Sequence, residues 1–309
     1  MRHIFIINPI SGKGAALQLE ERLRRQLEQK TDLHWEIYRT KAPGDAASFV
    51  RQRAAEGPAR FYACGGDGTL HEAADGIRDF PESALGVFPA GSGNDFVRTF
   101  SEQEAFLDLD RQLEGELVGI DLIRAGGHFA VNMLNIGFDC EVVNWVNTHR
   151  SIPLLGGKLR YLLGVLVILF RKMGQPLTIR LPDGQEESGR FLLCTAANGQ
   201  FCGGGFRASP LACPNDGKLE LTAVRKVGRL RFLSLLGPYR TGAYLEHPLA
   251  KQLFFRSSCS SLTFSAPGGS HVCVDGEVYP FTKLQVEVLP KAIRMILPKG
   301  AALSVSEKP

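Results

Sequence analysis

One carboxylate in this chain occupies a place that would ordinarily disfavour it. Asp67 interrupts the run Cys64-Gly65-Gly66-Asp67-Gly68-Thr69-Leu70-His71-Glu72, between a short apolar segment at 60–63 and a segment of helical apolar spacing at 70–77. Glycines in such a strand-to-helix turn let the backbone take positive φ and come close to a ligand. The unpaired N–H groups of the helix's first turn, with its dipole, attract an anion, above all a phosphate. An aspartate there repels a bare phosphate, so the pattern makes sense when a cation such as Mg²⁺ bridges carboxylate and phosphate oxygens. No Gly-Lys-Ser/Thr follows, which excludes a Walker A loop, and the spacing is not GxGxxG. Glycine-rich turns also occur in α/β folds that bind nothing at that point.

The elements that must position Asp67 repeat the same theme. Residues 4–8 form a continuous apolar run, as expected of a strand buried on both faces. The turn Asn8-Pro9-Ile10-Ser11-Gly12-Lys13-Gly14 and an amphipathic helix at 15–29 follow it. A strand at 33–38 ending at Arg39-Thr40, a helix at 44–55 and a strand at 61–63 lead to the central turn, and a strand at 84–88 runs into Pro89-Ala90-Gly91-Ser92-Gly93-Asn94-Asp95-Phe96. Alternating strands and helices imply a mainly parallel sheet. Three polar glycine-rich turns then lie at strand C-terminal ends, the edge at which open α/β sheets bind ligands. A helix N-cap is the plainer reading of 91–95.

After about residue 117 the pattern changes. Segments 118–123 and 129–136, joined by Gly126-Gly127, read as a hairpin. A helix at 138–148, one at 159–172 and one near 230–237 are set among strands at 177–181, 190–196, 218–225, 261–264, 271–274 and 284–289. Strands without regular intervening helices point to an antiparallel, sandwich-like unit. Two domains are therefore expected, 1–118 and 119–309, with the last residues returning to the first. The helix at 159–172 is flanked by Lys158, Arg160, Arg171 and Lys172, which suits either a core helix or a face resting on a membrane.

The motifs together resemble one family. GGDGTxxE at 65–72 is similar to the signature of the diacylglycerol kinase catalytic domain superfamily, shared with sphingosine kinases and, in shorter form, with NAD kinases and phosphofructokinases. NPxSGKG at 8–14 and GSGND at 91–95 resemble its flanking motifs, the latter usually written GTxND; Ser92 keeps the hydroxyl. Ala212-Cys213-Pro214-Asn215-Asp216-Gly217-Lys218-Leu219-Glu220-Leu221 resembles its PxAxxxDGxLxL segment, and Asp275-Gly276-Glu277 its DGE. By themselves the last two read as a turn and an Asp-Gly hairpin.

The resemblance spans essentially the chain and implies an NAD kinase- and phosphofructokinase-like α/β domain followed by a β-rich sandwich-like one. It implies an ATP- and Mg²⁺-dependent lipid kinase, diacylglycerol being the first expected acceptor and phosphatidic acid the product. ATP would meet Asn8, Ser11, Gly12, Lys13, Thr40, Gly66, Asp67, Gly68, Thr69, Leu70, His71, Glu72 and Ser92. Asp67 and Asp95 would orient Mg²⁺ and the triphosphate, with Asp121 behind them, and Glu277 would take the proton of the acceptor hydroxyl. A structural Mg²⁺ would sit on the Asp216 carboxylate and the backbone carbonyls of Cys213 and Lys218. An NAD kinase, a kinase of sphingoid or other lipids, and a non-catalytic nucleotide- or lipid-binding protein on the same fold are the alternatives.

Composition sets the remaining bounds. The chain has 309 residues, 44% of them hydrophobic, and a formal net charge of +4, too mild to indicate nucleic acid and no obstacle to an anionic membrane surface. Seven cysteines without a CxxC pair read as reduced thiols in a cytoplasmic protein. The start of the chain reads as a strand, with no signal-peptide pattern, and the longest apolar run, 161–170, is too short to span a bilayer. The lipid is then expected to be met at a membrane surface, and a homodimer is among the options.

Overall fold

The chain's architecture was obtained as a computed structural model that describes residues 1–149, 157–171 and 173–304. The first lobe alternates β1 (Arg2–Ile7), α1 (Ala15–Glu28), β2 (His34–Arg39), α2 (Asp45–Ala55), β3 (Ala59–Gly65), α3 (Asp67–Ile77) and β4 (Ala84–Pro89), then a short helix α4 (Leu109–Leu113). Its strands run in the order β4-β3-β1-β2, all parallel. Ile4, Phe5, Ile6 and Ile7 are all fully buried, because helices cover both faces of a parallel sheet and leave no polar side for alternation. α1 buries Leu19, Leu23 and Leu27, the side chains its spacing sets on one stripe.

The second lobe holds β5 (Glu116–Ala125), β6 (His128–Ala130), β7 (Met133–Gly137), α5 (Phe138–Thr148), α6 (Gly157–Phe170), β8 (Gln175–Arg180), β9 (Glu186–Ala197) and β10 (Leu219–Arg225). It continues through α7 (Arg229–Thr241), α8 (Ala250–Leu253), β11 (Phe254–Cys259), β12 (Ser261–Val274) and β13 (Glu277–Leu297). Its strands are antiparallel, and the sheet folds over on itself. β8 and β7 each pair with both β9 and β12, β8 at one end of the long strands and β7 at the other. Ile179, Phe191, Leu221, Phe264 and Val272 fill the space enclosed. This is the sandwich-like unit expected from the strand spacing.

Several boundaries differ from the sequence reading for local reasons. The expected strand at 129–136 is two, β6 and β7, because the N–H groups of Val131, Asn132 and Met133 turn away from the sheet toward the carboxylate of Asp275. The segments at 261–264 and 271–274 are one strand, β12, whose register shifts between Ser265 and Ser270, across Pro267-Gly268-Gly269. β11 was not expected. Lys172 and the side chains of Lys158 and Arg160 lie outside the described residues, and no helix among those described is long and apolar enough to cross a membrane.

One strand joins the lobes. β13 pairs antiparallel with β12 and β5 and, at Met295, parallel with Leu85 of β4, so a single sheet runs through both lobes. A bulge between Leu289 and Ile293, with Lys291 at φ 50°, bends it from one lobe to the other.

Candidate active site

Three loops meet at the C-terminal edge of β1, β3 and β4. Asn8, just past β1, ties two of them: its N–H donates to the Cys64 carbonyl at 3.0 Å and its side-chain amide to Thr69 Oγ1 at 3.0 Å. Gly12, Lys13 and Gly14 all take positive φ, and a Cβ on Gly12 would lie 2.2 Å from the Ala90 carbonyl oxygen. The loop at 65–69 and the loop at 90–94 touch backbone to backbone, since a Cβ on Gly91 would stand 2.4 Å from the Gly66 Cα. The Ala90 N–H donates to the Gly65 carbonyl at 2.8 Å, and the Asn94 side chain closes its own loop by accepting from the Gly91 N–H at 2.9 Å. Only glycine allows these approaches, which explains why the three motifs share it.

Asp67 opens α3 and Asp95 lies opposite. Asp67 Oδ1 accepts from the Phe96 N–H at 3.2 Å, and Asp95 Oδ2 from the Gly204 N–H at 2.9 Å. Both carboxylates converge on Gly93: a Cβ there would be 2.9 Å from Asp67 Oδ2 and 3.3 Å from Asp95 Oδ2. Burial, with the neighbouring charge of Asp95, pushes the Asp67 carboxyl up to about 6, against the pull of the Phe96 N–H. Burial likewise raises Asp95. Asp95 Oδ1 is sealed from solvent without a hydrogen-bond partner, the nearest cation being Arg98 Nε at 3.7 Å. Two converging carboxylates, one with an unpartnered buried oxygen, form an oxygen-donor pair that suits a hard divalent cation.

The far wall comes from the second lobe. Asp275 and Gly276, at φ 44° and 101°, form the tight turn between β12 and β13, as the Asp-Gly signal predicts. The Asp275 side chain, 4% exposed, accepts from the N–H groups of Val131, Asn132 and Met133 at 2.7, 3.1 and 2.9 Å and meets His71 Nδ1 at 3.2 Å. Burial pulls the His71 pKa down, but the hydrogen bond and charge of Asp275, with Asp75 and Glu277 beyond, outweigh it and leave the pKa raised. Glu277, the next residue but one, is exposed at the start of β13. Between the lobes lies a cavity of about 240 Å³, lined by Asp67, Asp95, Phe96, Asn135, Cys202 and Asp275 among others.

The structure sorts the residues singled out from sequence. Asn8, Gly12, Gly66, Asp67, Gly68, Thr69, Asp95 and the exposed Ser92 share the three-loop edge, with exposed Lys13 and half-buried Ser11 on the first loop. Thr40 adjoins them at the end of β2, its N–H on the Ile7 carbonyl. Leu70 is buried, and Glu72 points away to cap α2, accepting from the Ala46 N–H at 3.1 Å. Asp121 has other business. Its carboxylate accepts from the Gly217 and Lys291 N–H groups, both at 2.7 Å, and its N–H donates to the Pro214 carbonyl. None of those partners belongs to the three loops; Asp121 instead pins the 213–218 turn to β13. In that turn Asp216 Oδ1 accepts from the Lys218 N–H at 3.0 Å, and Cys213 Sγ donates to Asn215 Oδ1. Among the described residues no group of three or more His, Cys, Asp or Glu side chains is placed to hold a metal; the turn offers one carboxylate and backbone carbonyls.

Sequence reasoning missed Asp275, whose work is hidden inside a turn motif, and the Gly203–Gly205 run, whose consecutive positive φ values present the Gly204 N–H to Asp95. It also missed Asp139, at the start of α5, whose Oδ2 is buried without a partner and whose pKa burial raises to about 6.

Comparisons with known proteins agree with this architecture. Residues 2–125 match the diacylglycerol kinase catalytic domain, and residues 132–297 the YegS C-terminal NAD kinase beta sandwich-like domain. A Pseudomonas aeruginosa protein named as a probable lipid kinase YegS-like is 34% identical over 268 residues, covering 84% of this chain and 83% of its own. A Yersinia enterocolitica protein of the same name is 29% identical, covering 98% and 99%. A putative diacylglycerol kinase from Bacillus anthracis superposes with a TM-score of 0.74 at 23% identity over 96% of both chains, a likeness of fold. With the catalytic-domain match over its first lobe and the YegS-type match over its second, the chain belongs to the diacylglycerol kinase catalytic domain family.

Proposed function

We propose that the protein transfers the γ-phosphate of ATP to a lipid hydroxyl, with diacylglycerol as acceptor and phosphatidic acid as product. The observation that carries this is the convergence of Asp67 and Asp95 where three glycine loops meet, in one cavity with Asp275 and Gly276 of the hairpin that bears Glu277. Family membership and the relatives named as probable lipid kinases supply the acceptor class.

Phosphoryl transfer needs positioning and charge stabilisation more than covalent work by the protein. The glycine loops bring backbone N–H groups to the phosphates, and the start of α3 adds its dipole. Asp67 and Asp95 would hold a Mg²⁺, which would supply neutralisation of the triphosphate's charge. Glu277 accepts the proton of the acceptor hydroxyl as its oxygen bonds to the γ-phosphorus, and the bond from that phosphorus to the β-phosphate oxygen breaks to release ADP. Asp275 fixes the hairpin, and with it the direction of Glu277. At 213–218 a second Mg²⁺ would rest on Asp216 and the carbonyls of Cys213 and Lys218, in a turn that Asp121 already holds.

The test is transfer of labelled γ-phosphate, with Mg²⁺, to mixed micelles carrying diacylglycerol, phosphatidylglycerol or sphingosine, and to NAD in solution, with Asp67→Asn beside the wild type. Label on diacylglycerol that disappears in the variant is the expected result. Label on another lipid replaces the acceptor, and label on NAD alone overturns the lipid-kinase reading.

A further inference from the structure

Two helices of the second lobe carry apolar side chains on the side facing away from the core. In α7, Phe232, Leu235 and Tyr239 are buried, and the helical repeat places Leu230 roughly 140–200° around the axis from them. Leu230 is 86% exposed and Leu233 50%. The last turns of α6 behave likewise: Ile168 and Leu169 are buried, while Leu166 and Phe170 are 42% and 74% exposed. The two helices form one surface. Arg229, the first residue of α7, donates through its guanidinium to the carbonyls of Leu169, Phe170 and Arg171 at 2.9, 3.2 and 3.3 Å, closing the open carbonyls at the end of α6. Single exposed leucines are ordinary, but a patch gathered around one joint marks a contact surface.

Charge selects the occupant. Arg171, Lys226, Arg229, Arg231 and Arg240 are exposed around the patch, and the sequence holds no Asp or Glu from 142 to 182 or from 221 to 245. A second copy docked about a two-fold axis would set these arginines against one another with no acidic residue on α6 or α7 to pair with. Anionic lipid headgroups would satisfy all of them. Beside the joint opens a groove of about 410 Å³, floored by Phe138, Ile168, Met173 and Leu192 with Arg171 and Arg190 at its walls. Through Glu141 and Gln175 it adjoins a wider hollow along the β12–β13 hairpin at Ser270 and His271, the hairpin whose tip bears Glu277.

We propose that the α6–α7 joint is a membrane-docking surface, with Leu230, Leu233 and Phe170 entering an anionic bilayer and the surrounding arginines at headgroup level. This rests on the lipid-kinase reading only in expecting the acceptor to reside in a bilayer.

The experiment is flotation of the full chain with vesicles of phosphatidylcholine, with and without phosphatidylglycerol, comparing wild type with Leu230→Glu/Leu233→Glu. Both positions are exposed, so circular dichroism and melting should be unchanged. The wild type is expected to float with the anionic vesicles, and the variant's partition to drop about tenfold or more. Phosphate transfer to a short-chain, monomerically dissolved diacylglycerol should be the same in both. Equal flotation of the two proteins, or no flotation of the wild type, overturns the proposal. So does a wild-type dimer in size exclusion that the variant dissolves, which would assign the patch to a second copy. Flotation as expected with no transfer to the dissolved acceptor supports the docking surface and counts against the kinase reading alone.

Discussion

Asp67 is held at a cost, and the cost has a sign. Its ordinary value is 3.8 and its folded value about 6, so across that window the folded chain binds more protons than the unfolded one and loses stability as pH rises. At neutral pH the charge is fully expressed beside Asp95, and only an opposing charge relieves it. Asp67→Asn should therefore melt higher than the wild type at pH 7 in the absence of divalent cation, the gap shrinking toward pH 4, while phosphate transfer falls to background. Mg²⁺ should raise the melting temperature of the wild type more than that of the variant. A variant that melts lower at pH 7 would sink the argument that this pair is strained for a ligand. Glu277 differs in kind, since it is exposed and its removal leaves no buried group behind. Glu277→Gln should melt like the wild type and bind ATP equally while kcat falls by about 10²–10⁴-fold; a wild-type kcat would remove it as the base. The glycines of the three loops were readable from sequence because only glycine permits the backbone contacts they make, whereas Asp95 was singled out through the resemblance. Asp139 was not, since nothing in the order of residues announces that one oxygen will be sealed without a partner. Because burial alone lifts its pKa to about 6, Asp139→Asn should be stabilising at pH 7 by ~1–3 kcal/mol in chemical denaturation, with the gain gone at pH 4.

The β12–β13 hairpin shows what a motif can hide. Its Asp-Gly signal predicted the turn, and the turn is there. The sequence could not show that Asp275 reaches back some 140 residues to draw three N–H groups out of the sheet, which is why 129–136 breaks into β6 and β7. A periodicity argument sees only side chains one strand deep; this break is made by a carboxylate from another element. The same carboxylate holds His71 of α3, so one side chain clamps the hairpin that carries Glu277 to the helix that begins at Asp67. Asp275→Ala should leave those N–H groups and His71 unpaired, lowering stability by about 3 kcal/mol or more and lowering kcat with Glu277 intact. The His71 pKa is raised by the pair, so the stabilisation it brings is complete below about 6.5 and fades as pH rises through the raised value. A variant with wild-type kcat would mean that the clamp does not aim the hairpin.

Alternation of strands and helices was enough to place the parallel sheet, and the loss of that regular alternation after residue 117 was enough to place the antiparallel one. The return of the last residues to the first lobe was expected, but pattern alone could not convey that it makes the two one sheet, because the join is a parallel pairing between residues more than two hundred positions apart. The end of the strand that makes it is buried on both sides. Ile293 and Met295 pack with Ile4, Phe61 and Leu85 on one face of the first lobe, and Ile296 packs with Phe5, Leu23 and Phe88 on the other. Losing a buried side chain of this size costs about 2–5 kcal/mol, and a domain's entire stability is about 5–15 kcal/mol. Removing the end of β13 deletes three such side chains and leaves β4 an open edge. A fragment ending at residue 125, where the catalytic-domain match ends, should accordingly fail to fold although it carries all three glycine loops, and the full chain should melt in one transition. Far-UV circular dichroism of the fragment and a thermal scan of the full chain check both. A fragment with native-like helix content and a cooperative melt would show that the first lobe stands without β13, and that the strand shared between the lobes is an attachment instead of a structural requirement.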